Sequence, residues 1–121
     1  MEEMWKPING YENYSISNLG NVKGTRGKLL KQALRNGYMR IYPSKNGVQK
    51  NLYIHRLVAE HFLEPVDGKE FVNHIDGCKT NNEVSNLEWV TKSENAFHAV
   101  TTGLYVPPNG LTPQFIKEYN L

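Results

Sequence analysis

Residues 71–99 read FVNHIDGCKTNNEVSNLEWVTKSENAFHA, and this stretch decides the fold of the second half of the chain. An apolar pair opens it, Asp76-Gly77 is a turn signal, and Leu87 and Trp89 alternate with polar residues as in a half-buried strand. After Trp89 the apolar residues recur at helical spacing. The sequence therefore predicts a strand, a long turn, a second strand and a helix.

Three helices are predicted in the whole chain. The helix that ends the opening stretch covers residues 92–103, with Ser93 as its N-cap and Gly103 as its C-terminal stop. The segment HRLVAEHFLEP, residues 55–65, has the spacing of a short amphipathic helix. A short third helix is predicted over residues 113–119, because proline at the first position favours a helix start.

The segment that precedes these helices, residues 5–55, contains short apolar runs that turn signals interrupt. Tyr14 and Ile16 alternate with serines, which is the pattern of a half-buried strand. Asn46-Gly47 is typical of a two-residue hairpin turn. A small antiparallel sheet of short strands is therefore predicted here.

Positive charge is concentrated in the first half of the chain, although the net charge is only +2. Residues 1–56 hold ten Lys or Arg and three Glu, a net charge of +7, whereas residues 57–121 hold four Lys and nine Asp or Glu, a net charge of −5. This split indicates a surface that binds a polyanion, although a merely solvated basic surface is the alternative. The candidate nucleic-acid contacts are Lys23, Arg26, Lys28, Lys31, Arg35, Arg40, Lys45 and Lys50.

Composition argues against several other classes of protein. No run of about 18 apolar residues is present, so no membrane span is predicted. The N-terminus MEEMWKPING lacks the apolar region of a signal peptide. The single cysteine, Cys78, cannot form an internal disulfide, which suits a reducing compartment. A cytoplasmic protein is therefore expected.

Side chains able to bind a metal ion or a proton gather in the opening stretch. Asn73 and His74 end the first predicted strand, where both can approach one site. Asn95 and His98 are three residues apart and share a face of the predicted helix. Oxygen ligands from Asn73 and Asn95 can therefore meet a base from His74, while His98 is a ligand, a phosphate contact or a packing residue. Asn86 is predicted to tie the loop backbone and hold His74 in orientation.

Phosphodiester hydrolysis requires these parts. A hard divalent cation stabilises the charge that builds on the phosphate and the leaving oxygen. A neutral histidine within reach of a water molecule is a general base near pH 7. The pattern favours a single-metal site that cuts nucleic acid, with His74 as catalytic base. Taken alone, His74 would more often be an ordinary loop or core histidine.

The segments VNHIDG and KTNNEVSNLEWVTKSENAFHA resemble the HNH endonuclease motif of phage and intron-encoded homing endonucleases. HRLVAEHFLEP is similar to the lead-in helix of that group. WKPINGYENYSISNLGNVKG resembles the N-terminal module that often precedes this type of HNH motif. The resemblance covers about residues 5–100, and it is specific because two motifs occur in the family's order.

The resemblance implies an α+β fold with a small N-terminal antiparallel β-sheet module and a ββα-metal (HNH, or His-Me finger) nuclease module. The expected bounds are residues 1–54 for the basic β module, 55–103 for the nuclease module and 104–121 for a linker and short helix. The implied activity is nicking or cleavage of double-stranded DNA with Mg²⁺ or Mn²⁺. The expected location of the protein is the cytoplasm, in a phage or bacterial host cell.

Carried over residue by residue, the resemblance implies specific roles. Asn73 falls on the first metal ligand and His74 on the general base. Asn86 falls on the central structural asparagine and Asn95 on the helix ligand, while His98 lies near a position where some members place another ligand. One such site per chain predicts a monomer that nicks, or a homodimer that makes double-strand breaks.

One departure from the family pattern concerns Asn73, because many members have Asp or His there. Asn supplies a carbonyl oxygen but no charge, so weak metal affinity without DNA is expected. A DNA-binding protein with a decayed nuclease site is therefore the main alternative. A structural zinc domain is a weaker one, because one Cys and scattered His make poor tetrahedral ligands.

Overall fold

The computed structural model describes the backbone of residues 2–101 and the side chains as far as Ala96. The predicted stop at Gly103 and the predicted helix over residues 113–119 lie outside the described residues. No helix in the described part of the chain is long and apolar enough to cross a membrane. The elements, in chain order, are β1 (Trp5–Ile8), β2 (Tyr11–Ser17), β3 (Val22–Lys23), β4 (Ala33–Arg35), β5 (Tyr38–Ile41), β6 (Ser44–Lys45), β7 (Val48–Gln49), β8 (Leu52–Tyr53), α1 (Ile54–Phe62), β9 (Phe71–His74), a 3₁₀ turn (Val84–Asn86), β10 (Leu87–Val90) and α2 (Lys92–Thr101).

The N-terminal strands are antiparallel as predicted, but they form two three-stranded sheets and a separate hairpin instead of one sheet. The sheet orders are β1-β2-β3 and β4-β5-β8, and β6 pairs with β7. After β3 the chain folds back on itself, because Gly24 N–H donates to Lys28 O and Leu30 N–H donates to Val22 O. This turn covers the edge of β3, so β4 pairs elsewhere. The predicted hairpin turn at Asn46 and Gly47 is confirmed, with φ angles of 53° and 77°.

One hydrophobic core joins the sheets, α1 and the β9–β10 hairpin. Helix α1 lies at its centre and packs against β1, β2, β5, β8, β9 and β10. The predicted boundary at residue 54 falls at the start of α1, and residues on both sides of that boundary share this core. The buried apolar residues that form this core are Ile8, Ile16, Val22, Ile41, Ile54, Leu57, Val58, Ala59, Val72 and Leu87.

The predicted strand, turn, strand and helix of residues 71–99 are present. β9 and β10 are antiparallel, and their register pairs His74 with Leu87 and Asn73 with Glu88. α2 follows directly and packs against both strands. The hairpin and helix thus form one packed unit, in which Asn95 of α2 lines a cleft with Phe71 and Val72 of β9.

The prediction that Ser93 caps α2 is wrong. Glu94 N–H donates to Thr91 Oγ1 at 3.1 Å, and Thr91 N–H donates to Glu94 Oε1 at 3.0 Å. This reciprocal pair is a capping box, in which a residue and the acid three positions later satisfy each other's backbone groups. Because Thr91 has the acid at that spacing, the helix begins at Lys92 and Ser93 lies inside it.

The turn after β2 packs against the Asn-rich loop that connects β9 to β10. Val84 N–H donates to Asn18 O at 2.8 Å, and Asn18 Oδ1 accepts from Met4 N–H at 2.8 Å. Gly20 has a φ of +85°, and a Cβ built on it would lie 2.9 Å from Asn82 Cβ. A side chain at Gly20 would therefore push the loop away from the first sheet.

We expect Gly20→Ala to lower the free energy of unfolding more than Gly10→Ala does. Both glycines have positive φ, which costs an alanine about 1–2 kcal/mol. Only Gly20 also faces a backbone neighbour, and such overpacking adds about 1–3 kcal/mol. Urea unfolding of the two variants measures the difference, and equal losses would contradict the close contact with Asn82.

Candidate active site

His74 lies at the end of β9, where it is held by a buried hydrogen bond to the Asn-rich loop. Its Nε2 atom lies 2.7 Å from Asn82 Oδ1, and both residues are 5% exposed. When Nε2–H donates to this oxygen, the neutral imidazole carries its basic lone pair on Nδ1. The loop therefore holds the ring orientation of His74 through its Nε2 atom.

Asn86 ties that loop into one shape. Its Nδ2 donates to Asp76 Oδ1 and to Asn81 O, each at 2.9 Å, and its Oδ1 accepts from Asp76 N–H at 3.0 Å. Its backbone oxygen accepts from Ile75 N–H at 2.8 Å. The side-chain amide can do this because it is donor and acceptor at once. The geometry suits the predicted role of Asn86 as a fixing residue.

Asp76 lies in a turn, as the Asp76-Gly77 signal in the sequence predicted. Its carboxylate accepts from Asn81 Nδ2 at 3.0 Å and from Cys78 N–H at 2.7 Å, besides the bond from Asn86. The hydrogen bond from Asn81, followed by those from Cys78 and Asn86, holds the pKa of Asp76 below its usual value. Its charge is thus engaged in holding the loop.

Asn73 is buried beside the hairpin's second strand. It is 5% exposed, and its Nδ2 donates to Glu88 Oε1 at 2.9 Å. Directly paired residues of an antiparallel ladder have their side chains on the same face of the sheet. Glu88 is exposed, so the amide that is predicted to bind the metal ion is hydrogen-bonded to a carboxylate at the protein surface.

Asn95 and His98 are both in α2, as predicted. Asn95 lines a cleft of about 310 Å³ with Tyr38, Tyr53 and His55, and its role as a metal ligand stays a prediction. The side chain of His98 lies outside the described residues. The contact between α2 and β9 brings the segments of Asn95 and Asn73 together.

His55 is a residue of this site that sequence reasoning missed. Its ring centroid lies 5.2 Å from that of His74 and 5.0 Å from that of Tyr38, on which it stacks. Burial, followed by the charges of His74 and Arg56, lowers the pKa of His55 to about 3. A neutral imidazole therefore packs next to His74 at physiological pH.

The predicted nucleic-acid contacts occupy two kinds of environment. Lys23 lies over the Trp5 ring at 4.1 Å, and Arg40 lies over the Tyr53 ring at 4.5 Å. Sequence reasoning missed Lys79, whose Nζ lies over Tyr38 at 4.8 Å, next to the histidine pair. The exposed members of the predicted set are Arg26, Lys28, Lys31, Arg35, Lys45 and Lys50.

The donors present fit a hard divalent ion better than zinc. No group of three or more His, Cys, Asp or Glu side chains suited to a metal ion occurs among the described residues. The proposed oxygen donors are the side-chain amides of Asn73 in β9 and Asn95 in α2, and Glu88 is hydrogen-bonded to the first of them. Oxygen donors of this kind suit Mg²⁺ or Mn²⁺, which retain water and bind substrate phosphate.

Both halves of the chain match known families. Residues 52–97 match the HNH endonuclease model, and residues 3–42 match the NUMOD4 motif. The chain is 46% identical over 105 residues to Uncharacterized HNH endonuclease L245 of Acanthamoeba polyphaga mimivirus, covering 86% of the chain and 32% of that relative. It is 43% identical over 102 residues to DNA endonuclease I-HmuI of Bacillus phage SP01, covering 82% and 59%.

A solved structure shows the same arrangement. The chain matches the solved structure of the HNH homing endonuclease I-HmuI, which describes DNA binding and cleavage by that enzyme. The match has a TM-score of 0.76 and 41% sequence identity, and it covers 90% of this chain and 63% of the I-HmuI chain. This similarity confirms the predicted fold of small antiparallel sheets and an HNH module. The chain spans between 30% and 59% of the length of three curated relatives that it matches.

The low pKa of His55 predicts a loss of stability in acid. The unfolded chain binds a proton at His55 near pH 6.5, whereas the folded protein does so near pH 3. The unfolded state therefore holds more protons between these values, and stability falls as pH drops through that window. We expect a loss of about 2 kcal/mol by pH 5 from this group.

The variant His55→Gln provides the control, because glutamine stays neutral throughout. Unfolding by urea at pH 7.5 and pH 5.0 should show a smaller acid loss in the variant than in the wild type. An identical loss would mean that His55 is already protonated in the folded protein, and an NMR titration of its ring would show this directly.

Proposed function

The chain belongs to the HNH endonuclease family, and from that premise we propose that it hydrolyses phosphodiester bonds of double-stranded DNA with a divalent metal ion. The observation that carries the proposal is the buried 2.7 Å bond between His74 and Asn82. A buried histidine whose ring is held by Asn82, on the strand that also carries Asn73 and that packs against the helix of Asn95, is suited to act as a general base for phosphate chemistry.

We assign the chemical step to His74. Its Nδ1 takes a proton from the attacking water, while Nε2–H stays bonded to Asn82, which keeps the ring in place as it becomes positively charged. Asn73 and Asn95 are the proposed ligands of Mg²⁺ or Mn²⁺, and His98 is a further candidate. The bound ion would neutralise charge on the phosphate and on the leaving 3′-oxygen, which gives 5′-phosphate and 3′-hydroxyl ends.

His55 and Asn86 have supporting roles in this proposal. His55 presents a neutral ring to His74, and a neutral neighbour does not disfavour the charged form of the base during proton transfer. Asn86 holds the loop that carries Asn82. Neither residue is required to exchange a proton, so their substitution should reduce the rate less than loss of His74.

DNA binding is assigned to the basic first half of the chain. The β4–β5 hairpin is the best placed part, because Arg35 is exposed at its end and pairs with Tyr38, whose ring lies 6.3 Å from that of His74. Lys79 lies over the same tyrosine. One site per chain would nick one strand, and a homodimer would be needed to cut both. A cytoplasmic setting in a bacterial cell fits this proposal.

A DNA-binding protein without nuclease activity is the second candidate, and the neutral side chain of Asn73 favours it. An amide whose Nδ2 is bonded to Glu88 offers a metal ion only its carbonyl oxygen. Weak binding of the ion could leave the hydrolytic step too slow to matter. Only an activity measurement separates the two candidates.

A supercoiled-plasmid assay tests the proposal. With Mg²⁺ or Mn²⁺ the wild type should convert supercoiled plasmid to nicked circles, and EDTA should abolish this. His74→Ala should slow nicking by about 100-fold or more, the usual value of a general base, and still retard DNA on a gel. Asn95→Ala should raise the metal concentration that is needed.

A histidine outside the ring cluster of Tyr38, His55 and His74 provides the control. His61 accepts from Asn9 N–H at 3.0 Å and its other ring nitrogen bonds to Leu57 O, so His61→Ala removes an imidazole without touching His74. It should keep nicking plasmid. If the wild type binds DNA but never nicks it with either ion, the second candidate replaces the first.

The salt dependence of DNA binding tests the assigned surface. Arg35→Ala should weaken binding to duplex DNA and reduce the slope of log K against log salt by about 1, because one phosphate contact is lost. Arg35→Lys keeps the charge and should preserve the slope. Fluorescence anisotropy at several salt concentrations measures both, and an unchanged slope for Arg35→Ala would remove this hairpin from the interface.

A further inference from the structure

The strand pairing places a carboxylate next to Asn73, one of the two proposed amide ligands, neither of which carries a charge. Glu88 is the register partner of Asn73, and the two side chains share a hydrogen bond of 2.9 Å. Asn73 is almost fully buried, whereas Glu88 is exposed. The contact therefore joins a fixed amide to a carboxylate that remains open on its other side.

This bond decides which end of the Asn73 amide remains for another partner. A carboxylate accepts hydrogen bonds only, so it must face the Nδ2 end. Oδ1, the end able to bind a metal ion, is then turned away from Glu88. A negatively charged acceptor also draws electron density toward Oδ1, as outer-shell carboxylates do for metal-bound histidines.

Other carboxylates near the hairpin are already engaged. Asp76 accepts three hydrogen bonds inside its turn, and Glu94 caps α2 and pairs with Lys69 at 3.3 Å. Among the carboxylates just named and Glu88, it is Glu88 that is hydrogen-bonded to a proposed metal ligand, Asn73. Its second carboxylate oxygen makes no hydrogen bond among the described residues.

We propose that Glu88 is a positioning residue of the metal site, which orients Asn73 and supplies the negative charge that Asn73 lacks. This inference rests on the proposed function, because it concerns the same metal ion. The charge of the site would then be carried by the second strand of the hairpin instead of the first. The Asn73–Glu88 pair would act as one ligand unit with a charge of −1.

Metal binding without DNA tests this directly. Mn²⁺ is added to the whole protein, and the paramagnetic broadening of the backbone amide signals of Asn73 and Asn95 gives the affinity. Glu88→Gln keeps the size of the side chain and removes its charge. It should weaken Mn²⁺ binding by about 10-fold to 100-fold, the usual effect of losing an outer-shell partner.

Two further variants separate this role from a structural one. Glu83→Gln removes one charge from an exposed residue of the same hairpin, and it should leave the affinity unchanged. The double variant Asn73→Asp with Glu88→Gln moves the carboxylate across the pair and keeps the total charge. It should restore affinity to within about threefold of the wild type, which a purely structural contact would not do.

The outcomes distinguish this inference from the proposed function. If Glu88→Gln binds Mn²⁺ as tightly as the wild type, the inference is overturned, whether or not plasmid is nicked. The inference also fails if Mn²⁺ broadens neither Asn73 nor Asn95 in the wild type. If the wild type binds Mn²⁺ through Glu88 and yet nicks no plasmid, the inference stands and the nuclease proposal fails.

Discussion

The hydrogen bond between His74 and Asn82 is the constraint around which the rest of the structure is arranged. Asn82 can reach the imidazole because the Asn-rich loop is tied internally by Asn86 and rests on the turn after β2. Gly20 permits that contact because a side chain there would collide with Asn82. The first sheet therefore supports, through this loop, the histidine that we propose as the general base.

The site combines low net charge in its interior with positive charge around it. Next to His74 lies His55, kept neutral by burial, and both proposed amide ligands are uncharged. Lysine and arginine side chains lie over aromatic rings at the border of this cluster or stand exposed on the sheets. Such an arrangement suits a polyanionic substrate that brings its own negative charge to the metal ion.

Charge within the hairpin is assigned by hydrogen bonding. Asp76 accepts three hydrogen bonds that hold its turn. In the sequence Glu88 is an ordinary residue of a predicted strand, but the register places it against Asn73. The electrostatics of the site therefore depend on which carboxylates are hydrogen-bonded within a turn and which have an oxygen that is open to a further partner.

The sequence by itself determined the strand, turn, strand and helix of residues 71–99 and the Asn46-Gly47 hairpin, because these depend on local turn chemistry and periodicity. It also indicated the family, through the resemblance of two motifs that occur in the family's order. It did not reveal that His55 stacks beside His74, that Asn82 holds the ring, or that Glu88 faces Asn73. It also placed the N-cap two residues late. The tertiary structure decided these contacts, because they join side chains from different elements, whose meeting depends on strand register and on the packing of α1 against the hairpin.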